Sequence, residues 1–135
     1  MGFFSLFKTP KPTPPTIIIR NVLQEEIDRV EGVYDLANAD LRGRQWAHAE
    51  MSAAVLDGAN CEGINLFGAR LVKTSFSRCN LRGAELSFSD ATSAIFTNAN
   101  LDGCLLYRSE TRLARFHGAI ITETSDIPAF KIVNA

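Results

Sequence analysis

The chain has 135 residues, 14 basic and 15 acidic, with a net charge near −1 and 46% hydrophobic residues. Such a length supports one domain, the balanced charge lacks the surplus of a nucleic-acid binder, and no apolar run reaches the roughly 20 residues of a membrane-spanning helix. No cleavable signal pattern opens the chain, and its 3 irregularly spaced cysteines form no disulfide framework, so a reducing, cytoplasmic setting is expected.

Residues 1–15 read as a tail. Phe3, Phe4, Leu6 and Phe7 crowd its first eight residues, which suits weak contact with a membrane surface, here the inner face of the cell membrane. Gly2 sits where a myristoyl group attaches, but Leu6 stands where that motif requires Ser or Thr. Four of the 5 prolines lie between Thr9 and Pro15 and make an extended linker. Residues 16–38 read as a cap. Thr16 to Arg20 are expected as a strand able to pair with the start of the repeat at residue 39. Asn21 is expected as the N-cap of a short helix of about ten residues, with Val22, Leu23, Ile27 and Val30 as its apolar stripe.

Residues 39–123 are a repeat. Every fifth residue from Leu41 to Ile121 gives 17 positions, of which only Thr111 is polar. Two residues before each lies a column of small side chains, where ten of the 16 alanines fall. Residues two apart on an extended backbone point the same way, so each unit turns one small and one large side chain inward. A period of five fits neither a helix nor a long alternating strand; it fits short extended pieces joined by tight turns. Gly43, Gly63, Gly83 and Gly103 recur at a spacing of 20, as do Asp40, Asn60, Asn80 and Asn100. Four units therefore close one coil. Phe76, Phe96 and Phe116 then stack as an internal ladder.

The runs Ala39-Asp40-Leu41-Arg42-Gly43, Ala84-Glu85-Leu86 and Ala99-Asn100-Leu101-Asp102-Gly103 resemble the pentapeptide repeat family, with its A-(D/N)-L-x-x consensus. That resemblance implies an all-β solenoid, a right-handed quadrilateral β-helix of about four coils roughly 20 Å long. Arg44 in a small-residue position and Trp46 after it mark the first coil as a cap. Thr111 and Ile120 mark a less regular last coil.

Beyond the repeat, residues 124–135 carry Ile127, Phe130, Ile132 and Val133. With Ile120 beside them they are expected to cap the last coil or to join it to a second copy as a homodimer.

Catalytic chemistry is hard to place on this pattern. His48 and His117 point outward with no nucleophile or second ligand in register. Cys61, Cys79 and Cys104 fall in inward columns, where a thiol acts as a small hydrophobe; no metal or cofactor is expected, and no enzyme. The outward positions of one side hold Phe67, Phe88, Leu105 and Tyr107, expected as a docking surface for a protein partner unless the N-terminal segment covers it. Some members of the family imitate duplex DNA and bind DNA gyrase, which makes gyrase modulation, with quinolone or toxin resistance, the alternative function. A DNA mimic needs an acidic surplus, whereas residues 39–123 hold nine basic and nine acidic side chains.

Overall fold

The computed structural model describes residues 15–33 and 35–122. In the repeat, a tight turn follows each inward large residue: the carbonyl of Leu56 accepts from Ala59 N–H at 2.9 Å and that of Phe76 from Cys79 N–H at 3.0 Å. The third residue of each turn has a positive φ at all 16 positions from Gly43 to Gly118, seven of them glycine and nine not. This is the geometry of a type II turn. The coil imposes it regardless of residue type, so the glycine column eases the turn without creating it.

Where the residue before a large position is Asp, Asn or Glu, its side chain completes the corner. Asn80 Oδ1 accepts from Arg82 N–H at 3.1 Å, Asp90 Oδ1 from Thr92 N–H at 3.1 Å and Glu85 Oε1 from Ser87 N–H at 2.8 Å. A short Asx side chain is suited to this because it reaches its own backbone two residues on. The D/N column of the repeat is therefore a set of corner braces.

Thirteen parallel bridges, from Asp40↔Asn60 to Asn100↔Ile120, all join residues 20 apart. The four-unit coil is thus as expected. It has four walls, whose outward residues are Asp40, Asn60, Asn80 and Asn100 on wall 1 and Gln45, Asn65, Glu85 and Leu105 on wall 2. Glu50, Arg70, Asp90 and Glu110 form wall 3, and Val55, Ser75, Ile95 and Arg115 form wall 4. Inside, the large column is buried from Leu41 to Phe116. Phe76 and Phe96 stack at 5.3 Å with 4° between ring planes, and Phe96 and Phe116 at 5.1 Å with 6°. Near-parallel rings are enforced by the coil repeat, which places identical backbones about 4.8 Å apart.

The N-terminal cap departs from expectation. Ile17–Arg20 do form a strand, β1, but the residues expected as a helix form a turn and a second strand, β2, at Glu26–Val30. The two pair antiparallel, Ile17 opposite Val30. Asn21 caps as expected of its chemistry, but caps a turn: Oδ1 accepts from Leu23 N–H and Glu25 N–H, each at 2.9 Å. An isolated helix of about ten residues is marginal in water. The alternative satisfies more backbone and seats Ile19 and Val30 in the core. The hairpin then docks on the first coil, where Val22 N–H donates to His48 and Glu50 N–H to Arg20, at 2.9 and 2.8 Å.

Candidate functional site

The aromatic residues singled out in the sequence do meet. Phe67 and Tyr107 occupy the first outward corner position after wall 2, and Phe88 the second, at φ 60°. The Phe67 and Phe88 ring centroids are 5.3 Å apart, and Phe88 meets Tyr107 edge to face at 5.8 Å. His48 continues the row above, edge-on to Phe67 at 5.9 Å. Below, the Arg108 guanidinium lies 5.8 Å from the centre of the Tyr107 ring. Phe88 and Tyr107 are 49% and 53% exposed, so the row is a surface. It runs down a corner rather than across a wall; Leu105 belongs to wall 2 itself, in the column of Glu85.

The row has a built geometry. His48 leans over Gly68, where a Cβ would come within 2.5 Å of its Nδ1. Glycine at 68 is needed both for that contact and for its φ of 65°. Of the residues expected at the opposite end, Ile120 is exposed, while Ile127, Phe130 and Ile132 lie outside the described residues. Phe3, Phe4, Leu6 and Phe7 lie outside them as well.

The histidines and cysteines sit where the sequence places them. His48 and His117 are exposed, and all three thiols are free and buried. A hydrogen bond with Cys61, together with burial, pushes the Cys79 thiol far above its ordinary range; burial does the same for Cys104. Neither is a nucleophile. Among the described residues no three of His, Cys, Asp and Glu gather as a metal site, and no helix is long and apolar enough to cross a membrane.

Two further groupings were not read in the sequence. The first is a polar lock between cap and coil. Asp28 Oδ2 on β2 accepts from Trp46 Nε1 at 2.7 Å and from Arg44 Nη1 at 3.1 Å. Burial pushes the Asp28 carboxyl up, but the Trp46 indole, the Arg29 amide and Arg44 more than offset this and leave it below its ordinary value. The second is a groove of about 950 Å³ on wall 4. Counting charges over the whole repeat hides it, because the residues lining it are separated by about twenty in the chain.

Among known proteins, a family model for pentapeptide repeats matches eight copies over residues 35–71, 59–98 and 69–108. A pentapeptide repeat protein of the Arabidopsis thaliana thylakoid lumen is 23% identical at a TM-score of 0.46, the match covering 71% of this chain and 73% of that one. HetL, a pentapeptide repeat protein of the cyanobacterium Nostoc involved in heterocyst differentiation regulation, is 21% identical at 0.44 over 63% of this chain and 46% of its own. Rfr23 of the cyanobacterium Cyanothece is 24% identical at 0.47 over 68% of this chain and 63% of its own. The match thus spans less than two thirds of the length of HetL and of Rfr23. None of the proteins of curated function matches this chain.

Proposed function

This chain belongs to the pentapeptide repeat family, and from that premise we propose that it is a non-catalytic interaction module that docks a protein partner along its aromatic corner. The observation that carries this reading is the row Phe67, Phe88 and Tyr107, three rings each in contact with the next and open to solvent. Lone exposed apolar residues are ordinary on a protein surface. Three packed rings, flanked by Leu105, are a patch of the kind that anchors interfaces. A solenoid suits this role because its stacked backbone holds the rings in place before any partner arrives, which lowers the ordering cost of binding.

Docking is tested by affinity capture from the native extract with the wild-type chain and with the Phe67→Ser/Tyr107→Ser variant. Loss of captured proteins in the variant is expected. An unchanged set, with the variant folded by circular dichroism, refutes the corner as the docking surface.

A further inference from the structure

Wall 4 and its two corners carry four cationic side chains, Lys73, Arg78, Arg112 and Arg115, against one carboxylate, Asp57. The ion pairs of the repeat lie elsewhere: Arg42 with Asp40 at 2.8 Å, Arg82 with Asp102 at 3.3 Å and Arg70 with Glu50 at 3.7 Å. Lys73, Arg78, Arg112 and Arg115 make no ion pair among the described residues. The carboxylates closest to them, Asp57 on the wall 4 corner and Asp90 and Glu110 on wall 3, are turned to neutral donors rather than to these cations. Asp57 accepts from the Ser75 hydroxyl, Asp90 from the Thr92 hydroxyl at 2.6 Å, and Glu110 from the Arg112 backbone N–H at 2.9 Å.

The groove lies within this field. Ile95 gives it an apolar floor, Lys73, Ser93 and Leu113 one flank, and Arg115 and His117 its lower end; among the described residues no acidic one lines it. Its backbone is not available to a visiting strand, since Ile95 N–H already donates to the Thr74 carbonyl and the Ile95 carbonyl accepts from Phe76 N–H. Recognition must therefore come from side chains. Leu113 is 73% exposed, so among the described residues its side chain is open to a ligand in the groove.

We infer that this groove binds a small organic anion with an apolar body, a medium-chain carboxylate in its simplest form. Arg115 receives the head group, because a guanidinium fork matches a carboxylate in two parallel hydrogen bonds. The chain lies over Ile95 and Leu113. Lys73, two coils above Leu113 and so about 10 Å away, adds to the positive field along the groove. The volume falls within the range typical of small-molecule sites.

Decanoate titrated into the full chain, methyl-labelled at isoleucine and leucine, is the test. Saturable shifts at the Ile95 and Leu113 methyl groups are expected, with decanol, the neutral analogue, failing to saturate them. Arg115→Gln should weaken decanoate about tenfold, the effect of losing one charge-assisted contact, and Arg115→Lys should weaken it less. Arg115 is exposed and unpaired, so both variants keep the fold. Equal binding of decanol and decanoate overturns the site, and so does unchanged affinity in Arg115→Gln. Shifts confined to leucines near the aromatic corner overturn it too.

Discussion

Trp46 and Asp28 meet at the capped end of the solenoid, the indole Nε1 donating to the carboxylate at 2.7 Å. Trp46 is fully buried, so its N–H has no water to fall back on, and Arg44 shares the same acceptor oxygen. One carboxylate therefore joins the hairpin to the first coil. Asp28→Ala leaves a buried donor unpaired and strips Arg44 of its counter-charge, leaving its guanidinium the Arg29 carbonyl at 3.2 Å, and should cost about 2–3 kcal/mol in urea unfolding. Trp46→Phe removes the donor, and the Asp28→Ala/Trp46→Phe double variant should cost less than the sum of the two single variants. Strict additivity would show that the two do not act together.

The same carboxyl makes the cap sensitive to acid. Its folded pKa lies below the ordinary value of 3.8. The stability it contributes is therefore fully present above that value and is lost as pH falls through the lowered one. Thermal unfolding followed from neutral pH down to about pH 2 should decline in that lower window, and the decline should be shallower in Asp28→Asn. A curve unchanged by Asp28→Asn counts against this linkage.

Phe96 lies between Phe76 and Phe116 with both rings near 5 Å away. Stacked backbones on either side cannot collapse into the space that truncation leaves. Phe96→Ala should cost about 3–5 kcal/mol, a large share of the stability of a small domain, read as a lowered midpoint in denaturant. A loss below about 1 kcal/mol, less than burial of a phenylalanine ring alone supplies, would contradict its enclosure in the ladder.

Thr111 presents the opposite case. It fills a large inward position, is 3% exposed, and its hydroxyl has no hydrogen-bond partner among the described residues. Thr74, also buried, donates instead to the Met51 carbonyl at 2.8 Å. Thr111→Val should stabilise the chain by about 1 kcal/mol, and Thr74→Val should destabilise it. The difference in sign, measured in one denaturant series, is the check.

The corners offer a third pair. Ala53 is exposed and held at φ 61°, a conformation costing a side chain about 1 kcal/mol, so Ala53→Gly should raise the melting temperature slightly. Gly68→Ala should lower it, because the added methyl meets both a positive φ and the His48 ring. Equal effects at the two sites would show that the His48 contact is irrelevant.

Much of this molecule is determined by its sequence alone. A period of five with small and large inward columns admits only short extended pieces, and a second period of 20 sets four pieces per coil. The ladder of Phe76, Phe96 and Phe116 and the outward row of Phe67, Phe88 and Tyr107 follow from that arithmetic, because each residue's surroundings repeat. What the sequence alone could not decide lies where the repeat stops or where distant columns combine. Residues 21–30 have the spacing of a weak helix, and only the open end of the first coil, where the His48 carbonyl and the Glu50 N–H need backbone partners, turns them into a turn and a strand. Arg44 and Trp46 read as irregularities until Asp28 is seen to bind them both. The balanced charge of the repeat conceals an uneven surface, since cations paired on walls 1 and 3 stand unpaired around wall 4. Local periodicity sets which side chains point in; which outward side chains meet depends on coil closure and on the cap, and both are tertiary.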